Sequence, residues 1–266
     1  MTSAATKVAV IIGGGSKHDK GGQVEEVRPE SRWGIGGSLG LRFAAGGLHV
    51  ALLSRRLEVM DLIAAEIVKR GGQATSFQCD VTSDDSVKAA FDAISKLGEV
   101  SVVIYNVAAP FPPGVSFENG ISGLPTPLEL DPAQFQFAFD CGVTGLLRCI
   151  KEFIPGMLER KSGKIILSGA TMALRGGARF SFWAPSKTAL RSFGQSLFQE
   201  YAPQGIHTSH VVIDGVIESP NTASMGNLMD PWDIAEQYWH LYTQPPCVWS
   251  YELQITPFTS GVGMRM

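Results

Sequence analysis

Nothing in this 266-residue chain approaches the roughly 18 consecutive apolar residues that a membrane span needs. The N-terminal apolar run Val8–Ile12 is too short for the core of a signal peptide and ends in three glycines, so a soluble, cytoplasmic protein is expected, with no membrane partner. Basic excess is also lacking. Lys and Arg number 22 against 25 Asp and Glu, giving a net charge of −3, and they are scattered, which argues against neutralising the phosphates of a nucleic acid. The four cysteines, Cys79, Cys141, Cys149 and Cys247, have no C-x-x-C spacing, so no paired-cysteine redox or metal motif is present and no metal is expected. Three of them sit in apolar surroundings that suit reduced, buried thiols. No polar or repetitive linker divides the chain, which favours one domain.

What is present is a repeated alternation. Short, unalternating apolar runs occur at Val8–Ile12, Val50–Leu53, Val102–Ile104, Ile165–Leu167 and Val211–Ile213, the pattern of strands buried on both faces. Amphipathic stretches of helical period lie between them: Leu57–Arg70, Ser83–Leu97, Pro132–Arg160 and Trp183–Tyr201. Ser83 before two acids and Asp131 before Pro132 read as helix starts, and Gly71-Gly72 as a stop. Trp249–Ile255 is expected to add a final strand. Repeated strand–helix units give a parallel sheet covered on both faces, with ligands at the carboxyl ends of the strands. Two breaks in the pattern, Ala109–Leu128 and Ser219–Pro231, both follow strands and read as substrate-side loops.

After the first strand come Gly13-Gly14-Gly15-Ser16, and Gly34-Ile35-Gly36 opens a helix over Leu39–Ala45. Absence of Cβ atoms lets backbone approach a pyrophosphate, and a helix N-terminus offers unbonded N–H groups to the anion. With this motif the chain resembles the short-chain dehydrogenase/reductase family, whose glycine pattern is TGxxxGIG. Gly13 matches its first glycine and Gly34-Ile35-Gly36 its GIG. The resemblance continues through Asp80-Val81, Asn106-Val107-Ala108 in place of NAG, Lys187 in the last position of YxxxK, and Asp214–Ser219 in place of PGxVxT. It implies a Rossmann-type α/β fold: one dinucleotide-binding domain over residues 1–266, a doubly wound parallel sheet in three α/β/α layers, with a charged insertion at 17–33 in the phosphate loop. Eight charged residues among 17–33 suggest a loop that enters solvent.

About twenty residues after Gly36, where an acid would bind the ribose hydroxyls of NAD, stand Arg55 and Arg56. Arginine there suits a 2′-phosphate, so NADP(H) is expected over NAD(H); the other reading is that both begin a solvated helix. Asp80 resembles the family's adenine contact and equally suits a helix cap. Ile217 and Ser219 are expected to meet the carboxamide and phosphates beside Gly215, with Lys187 on the nicotinamide ribose.

The reaction centre is where the resemblance weakens. The family uses a Tyr as acid or base, a Ser on the substrate carbonyl, a Lys that lowers the Tyr pKa, and an Asn that anchors a water relay. By spacing these positions are Trp183, Ala170, Lys187 and Gly142, and only the Lys matches. An indole N–H donates but is not usefully acidic, so Trp183 cannot shuttle a proton. Ser168, Thr171, Asp214, Glu218 and Tyr105 are substitutes by position, and each also has a purely structural reading. Phe111, Trp183, Met225 and Met229 suggest a broad apolar pocket, or simply core.

Two functions follow. One is an NADP(H)-dependent oxidoreductase moving a hydride to or from a small carbonyl, hydroxyl or activated double bond, with a nonstandard proton source. The other is a catalytically degenerate NADP(H)-binding sensor or interaction module. The resemblance also implies a homodimer or homotetramer through the helices at Pro132–Arg160 and Trp183–Tyr201.

Overall fold

Each apolar run found in the sequence is a strand whose side chains are buried whichever way they point. The computed structural model describes residues 5–15, 28–110, 123–219, 222 and 226–258. Its strands are β1 (Lys7–Ile12), β2 (His49–Ser54), β3 (Gln73–Gln78), β4 (Glu99–Tyr105), β5 (Gly163–Ser168), β6 (Ile206–Ile213) and β7 (Glu252–Ile255). They form one sheet in the order β3-β2-β1-β4-β5-β6-β7 with every pair parallel. β1 lies between β2 and β4, so the winding reverses there and opens a crevice at the carboxyl edge.

Helices cover both faces. α1 (Gly34–Ala45), α2 (Leu57–Lys69) and α7 (Pro231–Thr243) share a core with Ile11, Leu52, Ile104 and Ile166. On the other face α3 (Asp84–Ile94), α5 (Gly145–Arg160) and α6 (Ala184–Tyr201) pack on Val10, Leu53, Val103 and Leu167. Cys79, Cys141 and Cys149 are buried thiols, as their surroundings suggested, and Cys247 is exposed. No helix among the described residues is long and apolar enough to cross a membrane.

The capping signals act as expected. Ser83 accepts the Ser86 amide at 3.3 Å, Asp131 accepts the Ala133 amide at 2.8 Å with Pro132 at the first helical position, and Gly71 ends α2 with φ +85°. The expected helix Pro132–Arg160 is not continuous α. α4 (Pro132–Phe139) runs into a π-turn over Asp140–Thr144 before α5 resumes. α7 was not anticipated, although it opens with the same Asp-Pro signature: Asp230 accepts the Trp232 amide at 2.7 Å.

One expectation is overturned. Residues 28–33, the last part of the insertion, dock on the protein instead of entering solvent: Ser31 is fully buried and Trp33 is 8% exposed within the α1–α2–α7 core. Residues 17–27 and Ser16 lie outside the described residues, as do Phe111 and Met225.

Candidate functional site

The carboxyl edge of β1 turns at Gly13, whose φ of +84° is left-handed. A Cβ there would stand 2.5 Å from the Asn106 carbonyl oxygen. Asn106, at the end of β4, holds the turn from the other side: its side-chain amide donates to the Gly13 carbonyl (3.1 Å) and its backbone N–H to the Ile12 carbonyl (2.8 Å). Gly36, in the first turn of α1, meets the same turn, where a Cβ would lie 2.7 Å from the Gly13 oxygen. The helix N-terminus therefore abuts Gly13-Gly14 even though residues 15–33 lie between them in sequence. Trp33 at the N-cap supplies no side-chain acceptor to that first turn, and the Gly34 N–H donates to the Ser31 carbonyl at 3.0 Å. Gly15 lies beside Ser54, and Gly34 and Ile35 begin the helix half-buried. A cradle that side chains would fill, at a helix start, fits a diphosphate.

Arg55 and Arg56 are exposed at the end of β2. The Arg55 carbonyl accepts from Gln78 at 3.2 Å, and the Arg56 amide donates to the Ser54 hydroxyl at 3.2 Å. Asp80 accepts the Thr82 amide (2.9 Å) and hydroxyl (2.7 Å), which is the turn-capping reading. Burial works to raise its pKa, but Thr82, Arg55 and Arg148 outweigh it and hold the carboxyl below its ordinary value. Val81 turns its side chain into the core, and Ala108 is exposed past β4.

Lys187 stands in the first turn of α6, half-buried. Its ammonium donates to the Ser168 carbonyl (2.9 Å) and the Val107 carbonyl (3.3 Å), and burial lowers its pKa to about 8. Trp183 caps the same helix. Its indole N–H donates to the Ala109 carbonyl at 3.1 Å, and its ring meets Phe182 edge-on at 4.8 Å. Ala170 leaves β5 in extended conformation two residues past the carbonyl that holds Lys187. Gly142 lies in the π-turn, where a Cβ would touch Ser186 at 3.6 Å. The four positions are thus drawn around one end of α6, and only Lys187 carries a titratable group.

Two substitutes are removed by the geometry. Ser168 is 5% exposed and shares a hydrogen bond with the Tyr238 hydroxyl (2.8 Å) in the α1–α7 layer, so it is not presented to a carbonyl. Tyr105 is fully buried, donates to the Cys141 carbonyl at 2.5 Å, and has its pKa pushed well up by burial; its core reading holds. Thr171 remains. Its hydroxyl donates to one Asp214 oxygen at 2.5 Å, while Gln254 donates to the other at 2.8 Å. Glu218 is half-buried, its carboxyl raised by burial and then by Asp230.

Past β6, Gly215 is exposed, Ile217 forms a bridge with Met229, and the Ser219 hydroxyl pairs with that of Thr222 at 2.9 Å. Met229 thereby packs against the α1–α7 core, as the core reading of the apolar residues held.

Sequence reasoning missed His210. Lying on β6 and fully buried, it pairs through Nδ1 with Glu252 at 3.1 Å, and Glu252 is held by Arg191 at 2.5 and 2.8 Å. Its Nε2 is buried without a hydrogen-bond partner among the described residues, and lies 2.3 Å from where a Cβ on residue 169 would stand. Burial lowers the pKa of this ring, which keeps it neutral at pH 7.

Comparison with known proteins agrees with this geometry. The short chain dehydrogenase model matches residues 31–228. A fatty acyl-CoA reductase of Acinetobacter baylyi is 29% identical over 170 residues, 63% of this chain and 54% of its own length, so the chain spans about half of that relative. An Escherichia coli 7alpha-hydroxysteroid dehydrogenase is 24% identical over 69% of this chain and 68% of its own. Among solved structures, a short-chain dehydrogenase from Rhodopseudomonas palustris superposes with a TM-score of 0.75 at 28% identity, covering 95% of this chain and 99% of the other. A metagenomic short-chain oxidoreductase in complex with NADP gives 0.74 at 22% identity over 94% of this chain and 96% of the other, a likeness of fold. With a family match across most of its length, a Rossmann-type parallel sheet and a glycine cradle at the reversal of winding, this chain belongs to the short-chain dehydrogenase/reductase family of oxidoreductases.

Proposed function

We propose that this chain is an NADP(H)-dependent oxidoreductase that moves a hydride to or from a small carbonyl, hydroxyl or activated double bond. The observation that carries the reading is the closure of Gly36 onto Gly13 with Lys187 near the same edge. When bound, the cofactor would supply the hydride for reduction or, oxidised, accept it from an alcohol; the protein supplies binding, orientation and a group that gives or takes the proton. Gly13, Gly14, Gly34 and Gly36 seat the diphosphate on α1, Arg55 and Arg56 face a 2′-phosphate, and Lys187 donates to the nicotinamide ribose. Thr171, its proton turned to Asp214, presents a lone pair one residue from Ala170. It accepts the proton of a substrate hydroxyl and passes its own to Asp214, so a single proton leaves the substrate as the hydride does.

The second reading, a nucleotide-binding module without turnover, is favoured by one observation: Trp183, Ala170 and Gly142 offer no acid or base. Fluorescence titration with NADPH and NADH, followed by a hydride-transfer screen on carbonyls and alcohols, separates the two. Binding about tenfold tighter for NADPH, with turnover, is the expected result. Tight binding without turnover selects the module, and silence toward both nucleotides ends both readings. Assembly as a homodimer or homotetramer is part of the proposal, with Leu147 (41% exposed) on α5 within the expected face; sedimentation velocity tests it.

A further inference from the structure

Residues 28–33 connect two ligand-facing edges that are far apart in sequence. On one side they are fastened to the cradle helix and to the end of α2: the Ser38 hydroxyl of α1 donates to the Glu30 carbonyl at 2.8 Å, and the Glu30 carboxylate pairs with Arg70, past the end of α2, at 3.3 Å. Trp33 is buried at the start of α1, against Gly37. On the other side they grip the start of α7. The buried Ser31 hydroxyl donates to Asp230 Oδ1, the same oxygen that receives the Trp232 and Asp233 amides. Arg28 lies 3.0 Å from Asp233 and 3.7 Å from Asp230.

Asp230 directly follows Met229, and Met229 is woven into the segment after β6. Its amide donates to the Val216 carbonyl at 2.8 Å, and its carbonyl accepts the Glu218 amide at 3.0 Å. An unbroken series of bonds therefore runs from the first turn of α1, through Ser31 and Asp230, to Val216–Glu218. We propose that Ser31 and Arg28 are positioning residues: acting through Asp230, they hold the Val216–Glu218 segment in register with the Gly13–Gly36 cradle. Under the nucleotide reading of that cradle, this coupling sets the substrate side when the diphosphate side is filled. The mechanical claim can be tested without that reading.

The experiment is amide hydrogen exchange by mass spectrometry on the full chain, first without nucleotide. Ser31→Ala is expected to speed exchange of the Glu218 and Met229 amides about tenfold, since a buried hydrogen bond to a carboxylate is lost. Ser31→Thr, which keeps the hydroxyl, is expected to restore the slow rate. Arg28→Gln, at a half-exposed site that does not threaten folding, is expected to give a smaller increase at the same two amides. Added NADPH is then expected to protect Gly36 to Leu39 and Met229 together in the native chain, but Gly36 to Leu39 alone in Ser31→Ala. If Ser31→Ala and Arg28→Gln quicken only the capped amides of Trp232 and Asp233, the positioning role is overturned. If apo exchange changes as expected but NADPH protects neither segment, the coupling stands and the nucleotide reading falls.

Discussion

Above β1 and β2 the ligand edge is built from backbone; above β5 and β6 it is built from side chains, and the two halves respond differently to sequence change. The first half closes across the stretch of sequence between Gly13 and Gly34, because its shape needs only two turns without Cβ atoms to meet and Asn106 to hold one of them. In the second half the Ser168 and Val107 carbonyls hold Lys187, while Trp183, Ala170 and Gly142 around the same end of α6 carry no acid or base. Binding a diphosphate depends on where N–H groups point, whereas moving a proton depends on which atom carries it.

Four variants would break or sharpen this contrast. The largest effect is expected for Gly36→Val, which places bulk 2.7 Å from the Gly13 oxygen. NADPH affinity should fall about a hundredfold or more, read by fluorescence titration, with the fold checked by circular dichroism. Next, Trp183→Tyr combined with Ala170→Ser should raise carbonyl reduction roughly a hundredfold by supplying an acid beside Lys187. An unchanged rate in a folded, NADPH-binding double variant would mean these positions do not carry the family's roles here.

A third test uses pH. Burial lowers Lys187 to about 8, so its ammonium is present below that value and lost as pH rises through it. NADPH binding should weaken from pH 7 to 9 by about tenfold, and Lys187→Met should bind weakly with a flat profile across the same range. Calorimetry at three pH values decides this. The smallest effect is expected for Arg55→Ala, an exposed site, where the preference for NADPH over NADH should drop about threefold to tenfold. A preference that does not move would assign both arginines to the solvated start of α2.

Much of the architecture was legible because buried parallel strands carry unbroken apolar runs, and because Ser83, Asp131 and Gly71 mark helix ends by local chemistry. β3 offers no such run: Gln73–Gln78 is a half-exposed edge strand. α7 follows a polar stretch and was hidden behind it. The fate of residues 28–33 could not be read locally, since the charges of Arg28, Glu30 and Arg32 suggested solvent, while the Asp230 and Asp233 that hold Arg28 and Ser31 lie about two hundred residues later and the Arg70 that pairs with Glu30 lies at the end of α2. In the candidate site, the glycines, Asn106 and Lys187 were recognisable from spacing. His210 was not, because a histidine in a strand that also carries His207, Thr208 and Ser209 gives no signal until Glu252, 42 residues on, is folded against it.

The π-turn at Asp140–Thr144 has a consequence for the whole second layer. A helix that gains one residue in a single turn is offset by roughly 100° beyond that point relative to an uninterrupted spiral. Leu146, Cys149, Phe153 and Met157 face the sheet with that offset in place. Straightening that turn to regular α with all its residues kept would rotate this stripe toward water and carry Arg148 and Glu152 inward, whereas deleting one residue between 140 and 144 would remove the bulge and leave the stripe on the sheet, so the layer's seating depends on the wide turn beside the Tyr105 hydroxyl.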